Sequence, residues 1–327
     1  MLFVNSSQED LSTLAGAKHT YHIKGGEGAA KDRDVAKRLI KADIQNITNE
    51  ISKTITEEYI FVTFSAGGGT GSGSAPVLME RLSELMPEKK ICGIAILPSS
   101  GESLKAKINA YECFTEIVRL PKLNGLFILD NKTRSDKLTI NESFVELFVA
   151  MAELPDYTDI RGNIDVSELK EILNVRGCIQ ITMLPSGQSS TPKLIDNIKN
   201  NIFAQAEQDC IVQYIALSAA SEISAPALYK SVGKPLDLFQ GYNSDATVCV
   251  LGGLSYPYTR LAEIKGQISE EQDIMKKVWS IKKQILSNDV VDLGFLARNT
   301  THSPEIQTNN SVVMLSQDNA LPDKPVK

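Results

Sequence analysis

The chain has 327 residues, a formal net charge of −6, and 42% hydrophobic and 23% charged residues. These are the proportions of a folded globular protein of one large domain or two, not of a disordered chain. The acidic balance argues against coating nucleic acid by bulk electrostatics, so any contact with DNA needs a local patch or an adaptor.

The longest wholly apolar runs, such as Ile94-Ala95-Ile96-Leu97, are strand-sized and exclude a transmembrane helix. Met1 to Ser7 carries neither the basic segment nor the long apolar stretch of a secretory signal. The five cysteines (Cys92, Cys113, Cys178, Cys210, Cys249) include no CxxC pair and read as reduced, buried thiols of a cytosolic protein. Only His19, His22 and His302 are available for a zinc site or a Ser-His-Asp triad, and no metal site built by the protein is expected.

Leu2 to Asn5 reads as a short strand, and Lys31 to Thr56 has helical spacing through Val35, Leu39, Ile44, Ile47 and Ile51. Tyr59 to Ser65 (YIFVTFS) has the composition of a strand buried on both faces. A glycine loop follows, then a helix from about Ser74 to Leu85 with Pro76 near its first turn. Ile91 to Leu97 reads as a strand, Leu104 to Leu120 as a helix, and Gly125 to Leu129 as a third buried strand. Such alternation predicts an α/β, doubly wound parallel sheet.

Ser143 to Leu154 places Phe144, Leu147, Phe148 and Met151 on one helical stripe, a long central helix. Beyond it, strands at Cys178–Leu184, Ile211–Ser218 and Thr247–Leu251, with a helix at Pro192–Gln205, suggest a smaller α+β domain. Tyr258 to Leu286 reads as a polar helix bearing Lys276, Lys277, Lys282 and Lys283, and the Ser/Thr/Asn/Gln/Pro-rich end reads as a disordered tail. The expected organisation is thus 1–140, a nucleotide domain; 141–177, the central helix and a following loop; 178–256, the α+β domain; 257–298, a helix; and 299–327, the tail.

Gly67-Gly68-Gly69-Thr70-Gly71-Ser72-Gly73 has five glycines in seven positions between a buried strand and a helix. Glycines there let a ligand approach the backbone, and the helix N-terminus favours an anion, so a phosphate cradle is expected, with a flexible turn as the other reading. No Lys-Ser/Thr follows the last glycine and the G-x-G-x-x-G phase is absent, so the loop is neither of the commonest phosphate-binding types.

GGGTGSG after a buried strand resembles the signature of the tubulin/FtsZ superfamily of GTPases. LFVNSS, LAGAKHTYHI, GEGAAKDR, ILDNK at 128–132 and FQGYNS at 239–244 are similar to its plasmid and phage branch, the TubZ proteins, over roughly residues 1 to 255. The resemblance implies that Gly67, Gly68, Gly69, Thr70, Gly71, Ser72 and Gly73 hold the phosphates of GTP or GDP, with Mg2+, and that Gly28, Ala29 and Ala30 sense the terminal phosphate. Glu102 would bind ribose. Asn131 and Asn141 would contact guanine, since Asn offers a donor and an acceptor, although Asn141 also suits a helix cap.

Asn163-Ile164-Asp165-Val166-Ser167-Glu168 follows the central helix. As residues alone, Asp-x-x-Glu ahead of an apolar run reads as a capping box. The resemblance makes Asp165 and Glu168 the catalytic acids of a loop that polarises water on the next subunit's nucleotide, with Glu168 replacing the aspartate common in FtsZ. One departure stands out: no residues match the strand and G-x-G-G-x loop with which the superfamily begins. That predicts weaker folding and nucleotide binding for this chain than for an amino-terminally extended form.

The leading expectation is a GTP-hydrolysing protein that polymerises head-to-tail with itself. It would segregate plasmid or phage DNA in the bacterial cytosol through a TubR-like DNA-binding adaptor, touching DNA only indirectly and no membrane. The adaptor would dock on the C-terminal region, where Lys276, Lys277, Lys282 and Lys283 equally suit an ordinary solvated face. The alternatives are a non-hydrolysing structural homologue that assembles or caps filaments, a nicotinamide enzyme disfavoured by the glycine phase, and an FtsZ-like division ring disfavoured by residues 1 to 30.

Overall fold

A computed structural model describes residues 1–207 and 212–286. In chain order the elements are β1 (Phe3–Asn5), α1 (Gln8–Ser12), β2 (Thr20–His22), α2 (Arg33–Thr54), β3 (Tyr59–Ser65), α3 (Thr70–Leu85), β4 (Lys90–Leu97), α4 (Leu104–Ile117) and β5 (Gly125–Asp130). They continue with α5 (Lys137–Ala152), a 3-10 turn at Leu154–Asp156, α6 (Val166–Asn174), β6 (Gly177–Pro185), a 3-10 turn at Ser186–Gln188, α7 (Thr191–Lys199), β7 (Tyr214–Ala219), α8 (Ala225–Val232), β8 (Asp237–Tyr242), β9 (Ala246–Leu254) and α9 (Tyr258–Leu286). Residues 1–275 form one unit, and residues from 276 onward are a second.

The main sheet has seven strands in the order β3-β4-β5-β6-β9-β7-β8. β3 to β6 run parallel, β9 is antiparallel to both its neighbours, and β7 and β8 are parallel. β1 and β2 form a separate parallel pair. The strands of the expected second domain are therefore continuous with the first sheet, through a β5–β6 pairing confined to Gly125–Phe127 opposite Gly177–Ile179.

Period-two alternation fills both faces of the sheet. On β5, Leu126 and Ile128 join the core under α3 and α4, while Phe127 and Leu129 join the core under α5 and α6. Phe127 meets Phe144 and Phe148 edge-on at 5.7 and 5.8 Å. These contacts fix α5 across the sheet with directional aromatic packing as well as burial.

Several boundaries differ from the sequence reading. α3 begins at Thr70, not Ser74, because the first turn of a helix makes few hydrogen bonds of its own and so accommodates Gly71 and Gly73. Pro76 consequently lies inside the helix, beyond the first turn. α5 begins at Lys137, capped by Asp136 whose carboxylate accepts from Leu138 N–H at 2.9 Å, so Asn141 lies a turn inside the helix and is not its cap.

The buried stripe of α2 is Ala36, Ile40, Ile47 and Ile51, rotated from the expected one so that Val35, Leu39 and Ile44 flank it. α7 ends at Lys199, and the chain beyond it crosses to β5, where Ala204 N–H donates to Ile128 O at 2.8 Å. β8, which overlaps FQGYNS at Phe239–Tyr242, and the short α1 and α8 were not anticipated as elements.

Cys92, Cys113, Cys178 and Cys249 are buried and form no disulfide. Cys210, the tail from 299 and the chain beyond Leu286 lie outside the described residues, as do the side chains of Lys282 and Lys283. No helix among the described residues is long and apolar enough to cross a membrane.

Candidate functional site

The glycine loop leaves the end of β3 and becomes the first turn of α3. Most of its glycines are dictated by packing. A Cβ on Gly69 would stand 2.7 Å from Lys31 Cα, and one on Gly73 would stand 2.5 Å from Arg33 O. A Cβ on Gly71 would lie 3.0 Å from Ser65 O, whereas one on Gly68 would meet nothing closer than 3.8 Å. The ligand-facing freedom inferred from the sequence is thus centred on Gly68; Gly69 and Gly73 let the loop sit against Lys31 and Arg33 at the start of α2, while Gly71 lies against β3 and Gly67 against Ala106 of α4.

The loop's carbonyl groups are held from behind. Asn109, fully buried on α4, donates through Nδ2 to Gly68 O at 3.0 Å, Gly67 O at 3.4 Å and Lys31 O at 3.0 Å. Pro76 has no N–H to donate to Ser72 O four residues earlier. Arg33 fills that vacancy, with Nη2 at 3.0 Å from Ser72 O and ion pairs to Glu112 and Glu116 at 3.1 Å each. The Ser72 hydroxyl turns back to Gly68 O, and the Thr70 hydroxyl lies 2.7 Å from that of buried Ser6. What remains for a ligand is the backbone: the first turn of α3 has no side-chain cap, and its N–H groups suit an anion.

The predicted phosphate-sensing turn lies directly against this loop. Gly28 has φ 92° and donates its N–H to Ser6 O at 2.8 Å, and Ala29 is buried. Ala30 and Lys31 have φ of 45° and 59°, left-handed conformations that cost a non-glycine residue about 1–3 kcal/mol each. Ala30→Gly is therefore expected to raise unfolding stability by about 0.5–1 kcal/mol, the strain relieved less the entropy of the added glycine. Urea denaturation measures this, and a destabilised variant would show that the turn is not strained.

Glu102 gathers the remaining predicted groups. Its Oε1 accepts from Ser99 N–H at 3.1 Å, Lys137 Nζ at 2.8 Å and Asn131 Nδ2 at 3.5 Å. Burial alone would raise its pKa, but Lys137 and the Ser99 N–H outweigh that and hold the carboxyl below its ordinary range. Asn141 lies one helical turn beyond Lys137 on the same face of α5. The structure thus brings Glu102, Asn131 and the start of α5 together after the ends of β4 and β5.

Asp165 and Glu168 lie elsewhere. α5 has 16 residues and carries the chain about 24 Å from Lys137 before the turn that leads to Asp165. α6 is anchored at the opposite ends of the strands: Lys170 pairs with Glu58 at 2.6 Å, and Asn174 accepts from Tyr59 Oη at 3.0 Å. The capping box is real. Asp165 accepts from Ser167 and Glu168 N–H at 2.7 and 2.9 Å, while Glu168 accepts from Asp165 N–H at 2.9 Å. The Ser167 hydroxyl, followed by the Glu168 N–H, holds the Asp165 carboxyl below its ordinary range.

Sequence reasoning missed Ser6, Arg33, Asn109 and Lys137. Two signals were readable: Pro76, which orphans a carbonyl four residues back, and Asn109, a polar residue among Ala106, Ala110 and Cys113 on the buried face of α4.

The doubly wound sheet with a backbone cradle at the N-terminus of α3 defines an α/β protein built to hold an anionic ligand. The family description "Tubulin/FtsZ family, GTPase domain" matches residues 1–136. The match is to that part of the chain, and the described residues have the tubulin-like fold. The tubulin-like protein TubZ of Clostridium botulinum C phage is 26% identical over 275 residues, covering 83% of this chain and 76% of that protein. The tail-truncated TubZ of Clostridium botulinum phage c-st superposes with a TM-score of 0.76 at 26% identity, over 83% of this chain and 89% of that one. A GTPγS-form protofilament of TubZ from Bacillus thuringiensis serovar israelensis shares the fold, with a TM-score of 0.70 at 17% identity over 85% and 86% of the two chains.

Proposed function

We propose that this chain binds GTP on the glycine loop, stacks head-to-tail on copies of itself, and hydrolyses the nucleotide at each junction. The observation that carries this reading is the length of α5. α5 runs about 24 Å away from the Glu102 cluster at its start, and α6, which Asp165 caps, is tied to Glu58 and Tyr59 at the opposite ends of the strands from the cradle. Groups so placed act on one nucleotide only when the loop of one copy meets the cradle of the next. Such a heterologous contact propagates as a filament. The relationship to TubZ proteins, one of them solved as a protofilament, supports the same reading.

In this assignment backbone N–H groups of Gly67 to Gly73 hold the phosphates, and Gly28 to Ala30 meet the terminal one. Glu102 accepts from the ribose hydroxyls, and Asn131 and Asn141 read the guanine edge. Asp165 takes a proton from the attacking water and Glu168 orients it, as water oxygen bonds to the γ-phosphorus and the bond to the β-phosphate oxygen breaks. Mg2+ fits as a counter-ion carried chiefly by the phosphates, because no cluster of three or more potential ligand side chains exists among the described residues.

The cellular role proposed is segregation of plasmid or phage DNA in the bacterial cytosol. A TubR-like adaptor would contact the DNA, and the acidic charge of −6 supports such indirect contact. Functionally, the nucleotide domain would be 1–140, the central helix and catalytic loop 141–177, and the α+β part 178–256. A second reading, a filament protein without turnover, is favoured by one observation: both acids are engaged in the capping box.

GTP hydrolysis per molecule, measured against protein concentration with Mg2+ present, separates the two. A steep rise above a threshold concentration is expected. Constant zero turnover together with assembly would select the second reading.

A further inference from the structure

The loop from Tyr157 to Ile164 contains one cation, Arg161, and the proposed catalytic role of Asp165 leaves that residue unused. Its placement is unusually determined for a side chain that is 64% exposed. Asp159 accepts from Arg161 Nε at 2.9 Å and Nη2 at 2.8 Å, and from the Arg161 backbone N–H at 2.9 Å. The guanidinium carbon lies 4.2 Å from the centre of the Tyr242 ring. This grip of one carboxylate and one aromatic face fixes the plane of the guanidinium, while Nη1 makes no hydrogen bond among the described residues.

The platform beneath is the end of β8, one of the two edge strands of the main sheet. Two glycines let the loop press onto it. Gly162 has φ 151° and its Cβ would stand 2.9 Å from Gln240 O, and a Cβ on Gly241 would stand 3.2 Å from Ile164 N. Gln240 Nε2 in turn donates to Tyr242 Oη at 3.2 Å. The Phe239–Ser244 motif, which the nucleotide site does not use, therefore shapes the segment that ends at Asp165. Ile160 is fully exposed beside Arg161, and Val166 and Leu236 are also exposed, an apolar fringe suited to contact with another protein surface.

Charge supplies the remaining argument. Asp159, Asp165 and Glu168 are three carboxylates on a segment that the proposed function brings against a triphosphate. Like charges at close range are repelled, and charge accumulates further on the phosphoryl oxygens in the transition state. A fixed, partly free guanidinium offsets part of this repulsion and presents a local positive edge to the phosphate.

We propose that Arg161 is a catalytic residue delivered in trans: its guanidinium contacts the terminal phosphate held by the neighbouring copy, with Tyr242 and Asp159 as its positioning residues. This rests on the head-to-tail reading above. Arg161 forms and breaks no covalent bond. It stabilises charge on the γ-phosphoryl oxygens while water adds and GDP departs.

The test uses the full chain. Arg161→Gln is expected to lower turnover per molecule about a thousandfold, the lower end of what a transition-state arginine supplies. Its melting temperature, its affinity for GTPγS and its threshold for assembly should stay unchanged. Arg161→Lys should recover part of the rate, because charge returns without the planar fork. Tyr242→Phe should keep the wild-type rate and Tyr242→Ala should lose it with nucleotide affinity intact.

Normal turnover in Arg161→Gln overturns the proposal, as does loss of assembly together with turnover, which would make Arg161 an interface contact. A wild-type chain that neither binds nor hydrolyses GTP would instead overturn the underlying function, and the two failures are read from different proteins.

Discussion

Asp165→Asn is expected to abolish GTP turnover while leaving the protein folded and able to assemble. Asparagine caps a helix about as well as aspartate, so the α6 N-terminus keeps its acceptor for the Ser167 and Glu168 N–H groups. What it loses is the negative charge that would take the water proton, a contribution of about 10²–10⁴ in rate. Asp165→Ala removes both and should lower stability as well as turnover. Comparing the two by calorimetry and phosphate release therefore separates the cap from the chemistry, and an Asp165→Asn variant with wild-type turnover would remove this residue from the mechanism.

The pH dependence follows with a definite sign. The Asp165 carboxyl is depressed in the folded protein, first by the Ser167 hydroxyl and then by the Glu168 N–H. Its contribution to stability is therefore present above the unfolded value near 3.9 and is lost only as pH falls through the lower folded value.

Asn109→Asp is expected to cost more than any other single-atom change at the cradle. Asn109 Nδ2 serves the carbonyls of Gly67, Gly68 and Lys31, and a carboxylate there would face three acceptors with no proton to offer. It would also add negative charge beneath the phosphates. Asn109→Ala leaves the carbonyls unpaired at a cost of about 1–3 kcal/mol, enough for a tenfold or larger loss of nucleotide affinity if the loop rearranges. Fluorescent GTP titration and thermal melts of both variants check this, and equal affinity in Asn109→Asp would show that the loop needs no clamp.

Much of this was legible in the residues. YIFVTFS was read to its exact bounds from its β-branched and aromatic residues, but the expected burial on both faces does not hold: β3 is an edge strand, with Ile60 and Phe64 buried and Thr63 and Ser65 exposed. GGGTGSG was recognised because so many glycines at a strand–helix junction have few explanations. What the glycines were for was less visible. Gly69 and Gly73 are fixed by Lys31 and Arg33, residues distant in sequence, and no local pattern reports such a contact.

The start of α5 was missed because Leu138 and Thr139 face solvent and carry no apolar periodicity, while Asp136 supplies the cap. β8 was missed because a short edge strand containing Gly241 has little strand character of its own. In both places tertiary packing overrides local propensity.

The length of α5 has a last consequence, for the two ends of an assembly. Under the proposed head-to-tail stacking, the final copy at one end would present a loaded cradle that no acid loop covers. At the other, an acid loop would have no nucleotide to act on. The first end would keep its triphosphate longest and the second would never contribute to turnover. The two tips would therefore differ chemically although every subunit is identical, and growth and shrinkage would run in opposite senses along the same fibre.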